Sequence, residues 1–441
     1  MPQNRRNIPL SVILLSLSVG SGLALADDDV TKKIEDALKI GRDGAIKFDT
    51  RYRYENVNQD NTINPATGNP LPSAVQPRTA NANTIRTRLG VLSPTYYGVQ
   101  GYVEYEGTHA LQSDYNNGRG NKPWYSVVAD PGYNELNQLW LSYSGIPDTV
   151  IKGGRQRIRF DDDRFIGNVA WRQLETTFDS VLITNKSINH LVVNVGYIGN
   201  VNTFTATTEH INAPILNLNY NLGDYGRLIG YGYWLGYTDM DTTAREGSTA
   251  SKSNQTYGIR FVNSDKPPKF FDNYSLLYTA EWSIQKDYLN SPVKYTANRY
   301  NVMGGFTAYN FSFQGAMEQL DGHGLNQAFQ TPLGTNHAFQ GWADLFLVTP
   351  KDGIRDVFGT VTGKFLENDS LVVSGTFHAF SDDTGQINYG KEWDFQAEQK
   401  FGKHYSVLAK YAYFDNAQGK TGFSPNATDT QKVWVQGTVS F

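Results

Sequence analysis

The sequence predicts an all-β protein: a monomeric, antiparallel transmembrane β-barrel of about 18 strands, with short turns at one rim and long external loops at the other. Three observations predict it. Apolar and polar residues alternate with a period of two again and again from residue 45 onward. The chain opens on a secretory-type segment. It ends Val433-Trp434-Val435-Gln436-Gly437-Thr438-Val439-Ser440-Phe441, an alternating run that stops on an aromatic. One side of such a wall meets lipid and the other meets water, so alternate residues report on the lumen.

Residues 1–26 read as an export signal. Arg5 and Arg6 form its charged start, Ile8 to Val19 its apolar stretch, and Ala24-Leu25-Ala26 its cleavage site. The apolar stretch is too short to span a bilayer, and no other run nears the roughly 20 residues a spanning helix needs. There is no Cys, which excludes a lipoprotein anchor, a disulfide framework and a thiolate site. Residues 27–44 form a periplasmic lead-in. Within it, residues 28–40 set Val30, Ile34, Ala37 and Leu38 on one side of a short helix. The segment suits a periplasmic helix or a mobile lead-in, and it is too short to plug a barrel. The barrel itself takes residues 45–441.

The chain carries 39 basic and 43 acidic residues, and losing Arg5 and Arg6 with the signal makes the remainder more acidic. A nucleic-acid binder is usually basic, so that partner is disfavoured. Hydrophobic content of 39% is low for a helical membrane protein, yet aromatics reach 13%, with 27 Tyr. A wall with one apolar face and aromatic girdles has that mixture.

The first strand is the clearest. Over 45–55, Ile46, Phe48, Thr50, Tyr52 and Tyr54 share one face, and Lys47, Asp49, Arg51, Arg53 and Glu55 share the other. A charge at the bilayer midplane costs roughly 2–4 kcal/mol, so the charged face must line water. Residues 84–92 turn Arg86 and Arg88 inward and Ile85, Leu89 and Val91 outward. Residues 97–107 turn Glu104 and Glu106 inward, with Val99, Val103 and Tyr105 outward. Residues 149–160 set Arg155, Arg157 and Arg159 on one face, with Ile158 and Phe160 opposite. Later strands keep the period with a milder lumen: Asn217, Asn219 and Asn221 alternate with Leu216, Leu218 and Tyr220.

Connections alternate in length. Short turns fall at 93–96, 145–148, 223–226, Glu367–Asp369 and 402–404. Long polar segments fall at 56–83, 108–134, 161–175, 239–253 and 415–430. Short periplasmic turns and long external loops are the expected asymmetry. About 19 runs look like strands, but both ends of the chain belong in the periplasm, which needs an even number. Placing 338–348 inside a long external segment, 321–354, restores the alternation. A secreted soluble sandwich would share the alternation. The number of strands, the outward Tyr, Trp and Phe, and Phe441 favour the barrel. An aromatic carboxy terminus on an amphipathic strand resembles the signal read by the barrel-insertion machinery, which assigns Phe441 to assembly.

Over the first five strands the inward bases are Lys47, Arg51, Arg53, Arg86, Arg88, Arg155, Arg157 and Arg159. The inward acids are Asp49, Glu55, Glu104 and Glu106. The bases outnumber the acids, so one wall is basic although the protein is acidic. Rings of Arg and Lys suit anion pores, and the planar Arg fork suits carboxylates. Pairing across neighbouring strands would instead stiffen the wall, but it cannot absorb the surplus of bases within this stretch.

The segment Gly154-Arg155-Gln156-Arg157-Ile158-Arg159-Phe160-Asp161-Asp162-Asp163-Arg164-Phe165-Ile166-Gly167-Asn168, followed by Trp171-Arg172-Gln173 and Phe178-Asp179, resembles the alginate-export family of outer-membrane channels. Gly341-Trp342-Ala343-Asp344 with Thr349-Pro350, and His378 with Phe380 before Tyr389-Gly390, resemble it too. The resemblance implies an 18-stranded monomer with an Arg-rich lumen, narrowed by an inward loop, that conducts an anionic polysaccharide. It also implies that Arg155, Arg164 and Arg172 sit near the constriction with Asp162, Asp163 and Asp179 as partners.

Other signals are weaker. The carboxylates of 161–163 and of Asp382 and Asp383 offer oxygen ligands to Ca²⁺, although solvated loops or partners for Arg164 and Arg172 are the plainer reading. The seven His show no zinc spacing, no G-x-S-x-G elbow occurs, and no cofactor motif stands out. The reading is a channel in the outer membrane of a Gram-negative cell, in contact with outer-membrane lipid, that passes an acidic oligo- or polysaccharide. The alternatives are a general or small-anion uptake porin, an adhesion barrel, or a barrel enzyme with a catalytic Ser or Asp at the external rim.

Overall fold

A computed structural model describes residues 28–60, 72, 76–238, 252–264, 267, 269–289, 291, 293–417 and 428–441. The export signal lies outside the described residues, as do parts of the loops 56–83, 239–253 and 415–430. One sheet of 20 strands forms the molecule. Two of these are stubs, Lys39–Ile40 and Lys269–Phe271. The other 18 close a barrel.

In chain order the wall runs β1 (Gly44–Asp60), β2 (Ala80–Leu92), β3 (Val99–Asp114), β4 (Tyr133–Ile146), β5 (Thr149–Gln156) and β6 (Thr177–Asn185). It continues through β7 (Leu191–Asn202), β8 (Thr208–Asn221), β9 (Arg227–Tyr237), β10 (Asn254–Val262), β11 (Tyr274–Asp287) and β12 (Thr296–Ala308). It ends with β13 (Phe311–Leu320), β14 (Ile354–Phe365), β15 (Leu371–Ser381), β16 (Asn388–Phe401), β17 (Tyr405–Asn416) and β18 (Asp429–Ser440). Each strand pairs antiparallel with the next, and β18 closes on β1 from Asp49↔Ser440 to Asp60↔Asp429. Closure leaves no sheet edge in lipid, where an unpaired backbone group would cost several kcal/mol.

The alternation read from the sequence is seen in the wall. Tyr52, Leu89, Val103 and Tyr105 face outward and are exposed, while Arg53, Glu55, Arg86, Glu104 and Glu106 point inward and are buried. The run 338–348 forms no wall strand. It belongs to the connection between β13 and β14, as the parity of the strands requires. Its alternation reflects packing inside the lumen rather than a lipid-facing wall.

The lead-in forms a helix, α1 (Asp28–Ala37). Its Glu35 bonds His404 Nε2 at 2.8 Å. The His404 ring stacks on Phe441 at 4.2 Å. Phe441 and Phe48 exchange both main-chain hydrogen bonds, at 3.0 and 2.7 Å. The last residue therefore joins the closing seam. Phe441→Ala is expected to lower the amount of folded barrel in the membrane and leave the conductance of assembled channels unchanged. An undiminished heat-modifiable band on a gel would refute the assembly role.

Candidate functional site

Two loops fold from the external rim into the barrel: the first at 157–176, between β5 and β6, and the second at 321–353, between β13 and β14. Apolar burial drives the first. Ile158, Phe160 and Ile166 seat on an apolar inner face of β7–β9 that includes Ile198, Ile215, Ile229 and Tyr233. The second carries Phe329 and Phe346 onto Leu320, Phe380, Tyr389 and Phe414. Each large side chain buried this way contributes about 1.5–3 kcal/mol.

The loops meet across the lumen. Ile166 and Leu333 form a parallel β-bridge. The Gly167 amide donates to the Leu333 carbonyl, and the Thr335 amide to that of Asp163, both at 2.9 Å. The Val169 amide donates to Thr335 Oγ1 at 3.2 Å.

Ion pairs fasten this crossbar to the wall. Arg164 donates to Glu318 at 3.0 Å, and its other nitrogens reach Thr331, Asn336 and Gln340 on the second loop. Arg172 meets Glu55 at 3.1 Å, Asp344 at 3.3 Å and Asp130 at 3.7 Å. Burial alone would make its guanidinium less basic, but the three carboxylates outweigh that and hold it firmly charged. From the wall, Arg51 donates to the carbonyls of Ala170, Trp171 and Arg172, and Arg53 donates to the carbonyl of Trp171. Arg88 pairs with Glu106 at 2.5 Å and with Glu175 at 3.4 Å. Arg157 takes Glu175 at 2.5 Å and Glu104 at 2.8 Å. On the opposite wall Arg299 bridges Glu281 and Glu318 at 3.0 and 2.6 Å.

A third cluster joins both loops to β17 and β18. Lys410 Nζ lies 4.0 Å from the Trp171 ring and 3.6 Å from the Trp342 ring. It also sits 3.0 Å from His337 Nε2. His337 Nδ1 is 2.6 Å from Asp344, which Lys432 approaches at 2.7 Å. Glu392 and Asp394 on β16 accept the Ala343 and Trp342 amides at 2.7 and 3.2 Å. Cation–π contacts of this kind are worth about 2 kcal/mol or more when desolvated.

Most residues singled out in the sequence gather here: Arg51, Arg53, Arg86, Arg88, Arg157, Arg159, Arg164, Arg172 and Glu104. Lys47 lies nearer the periplasmic rim, 5.9 Å from the Tyr102 ring. Arg155 and Asp179 do not join them. Arg155 is in register with lipid-facing Leu139 and with Asp179, while the neighbouring pair Gln156 and Phe178 points inward. Arg155 and Asp179 therefore face outward at the external rim, in a bidentate pair of 2.7 and 3.1 Å. The strand ends at Gln156, so a period carried through 149–160 puts Arg155 on the wrong face. Beyond it Ile158 and Phe160 turn to the wall, which leaves Arg157 and Arg159 facing the lumen.

The partners of the acids also differ from expectation. Positive φ at Asp161 and Asp163 turns the chain, so neighbouring carboxylates diverge. Asp162 accepts from the Arg260 guanidinium and from the backbone amide of Arg164, whose own guanidinium goes to Glu318. Asp163 pairs with Arg159, and Asp161 accepts from Asn217. Asp382 and Asp383 accept backbone amides at 2.7 and 2.8 Å. Among the described residues no group of three or more His, Asp and Glu is arranged to hold a metal. The surplus of strand bases is met by loop acids the sequence did not single out, Glu175 and Asp130. The aromatic frame of Lys410 was missed as well, although Trp171 and Trp342 stand in the quoted motifs.

A family profile described as alginate export matches residues 45–190, which includes the whole first loop. No curated sequence matches the chain. Among solved structures it is similar to OpdK of Pseudomonas aeruginosa, crystallised with vanillate, at 11% identity over 90% of this chain and 98% of that one, TM-score 0.63. It is similar to OccAB2 of Acinetobacter baumannii at 14% identity, 90% and 98% coverage, TM-score 0.64. It is also similar to OccK9 (OpdG) of Pseudomonas aeruginosa at 13% identity, 90% and 99% coverage, TM-score 0.64. At these identities the likeness is one of fold. A closed 18-stranded barrel with an apolar outer band belongs in the outer membrane of a Gram-negative cell.

Proposed function

We propose that the protein is a passive outer-membrane channel whose lumen favours anions, with acidic saccharides of the alginate kind as solutes. One observation carries the reading. Along the first loop, Arg157 and Arg159 are the water-facing members of their ion pairs, while in the Arg260–Asp162 pair the acid is, at 28% against 11%. The Arg159 side chain is 62% exposed against 10% for Asp163. That of Arg157 is 32% exposed against 0% for Glu175. A solute in this strip meets the guanidinium groups of Arg157 and Arg159 ahead of their partner carboxylates, and a guanidinium can grip a carboxylate with two parallel hydrogen bonds. A low-dielectric lumen focuses the field of these groups. The alginate-export profile spans both arginines and supports a saccharide as the solute class.

Reversal potentials in a salt gradient test the charge preference. The wild-type channel is expected to select anions at low salt. The preference should fade towards 1 M, where the Debye length is about 3 Å. Replacing Arg157 and Arg159 together by Glu should abolish or reverse it with the barrel still folded. Cation selectivity of the wild-type channel at low salt would end the reading.

A further inference from the structure

Filling of the lumen at the level of the crossbar sets a limit on solute size. Every wall strand carries at least one inward side chain that is 7% exposed or less, among them Arg53, Phe178, Tyr233, Arg299, Asp394 and Trp434. A bore wide enough for a polymer would leave a ring of exposed wall. The space is instead taken by the two loops, which are hydrogen-bonded to each other, the first being ion-paired to both β13 and β1. Among the described residues, side chains at this level stay open to water in a strip beside the first loop. It is marked by Arg157 and Arg159 and by Asp162, whose side chain is 28% exposed.

We infer that the channel, with its crossbar in place, passes single acidic sugars and very short oligomers and excludes the polymer. For the sign of the solute this rests on the anion reading above, and for its size on packing alone. A polysaccharide in transit occupies the whole length of the bore at once and cannot turn its linked rings independently, so a crossbar that denies it a straight path stops it. A short solute needs only the strip past Arg157 and Arg159. Its supply then requires a depolymerising reaction outside the cell, such as a lyase or hydrolase acting on an acidic polysaccharide.

The absence of Cys from the chain permits a direct test. Bridged residues lie within disulfide reach, so Ile166→Cys with Leu333→Cys can lock the crossbar by oxidation. Uptake into proteoliposomes is measured for neutral glucose oligomers and for uronate oligomers of matched length, from monomer to long chain. The locked and unlocked barrels are expected to admit monomers equally and to exclude long chains of either charge. Passage of long chains through the locked barrel would overturn the size limit. So would loss of monomer uptake on locking, which would mean that the crossbar must move. If the cysteines fail to oxidise, the length series on wild-type protein decides alone. Equal uptake of neutral and acidic monomers would instead defeat the anion reading and leave the size limit standing.

Discussion

Arg172→Ala is expected to raise single-channel conductance several-fold and to lower the thermal stability of the barrel. The side chain ties the first loop to Glu55 on β1 and to Asp344 on the second loop, with Asp130 beside it. Its removal leaves three buried carboxylates facing one another. Breaking a buried pair from one side costs on the order of 3–5 kcal/mol. That is a large share of what holds the first loop, and the hydrogen-bonded wall strands are untouched by it, so the crossbar should loosen before the wall opens. Arg172→Lys keeps the charge but loses the fork that reaches Glu55 and Asp344 together, and should fall between. Arg155→Ala is the contrasting change. Its partly exposed pair with Asp179 faces outward at the rim, where such pairs are worth about 0–1 kcal/mol, and conductance should not move. Bilayer recordings with a melting curve for each variant decide the matter. Unchanged conductance in Arg172→Ala would show that the loops hold without it.

The wall was legible because a period of two survives wherever lipid lies on one side and water on the other. Residues 45–55 and the terminal run show it without interruption, and parity alone removed 338–348 from the wall. Legibility failed where the lumen is not watery. Over β8 and β9, Ile211, Ile215, Ile229 and Tyr233 point inward because a loop covers them, so apolar residues there do not mark the lipid face. Arg155 was misplaced because the strand ends one residue after it, and nothing in an alternating run of arginines signals that end. The loop acids were illegible for a different reason. Glu175, Asp130 and Asp344 are far in sequence from the arginines they neutralise, and only the fold brings them together. The stretches that carry the resemblance contain Trp171, Arg172 and Trp342, but they placed only Arg172 at the constriction, and the fold is what brings the three together.

Acidification is expected to loosen the second loop through His337. Its Nδ1–H donates to Asp344 at 2.6 Å, and its Nε2 accepts from the Lys410 ammonium at 3.0 Å. The two bonds together require a neutral ring protonated at Nδ1, because an imidazolium would keep the bond to Asp344 and lose the one from Lys410. Burial pushes the His337 pKa down to about 3, and the charges of Lys410 and Arg172 add to this against the pull of Asp344. A released loop would titrate near the ordinary value of about 6.5. Between those values the released state takes up a proton that the latched state refuses. The latch is therefore at full strength above about pH 6.5 and weakens progressively as pH falls towards 3. Asp344 does not compensate, because His337, Lys432 and Arg172 hold its carboxyl well below the usual range despite its burial. Asp161 titrates nearby, its carboxyl pushed up to about 6 by its desolvated surroundings although the residue keeps an exposed edge, so the recordings belong in an Asp161→Asn background. Conductance and gating noise are expected to rise from about pH 6 to about pH 4. His337→Gln should suppress that rise, because an amide can donate to Asp344 and accept from Lys410 with no proton to gain. A response to acid that persists in His337→Gln would place the titrating group elsewhere.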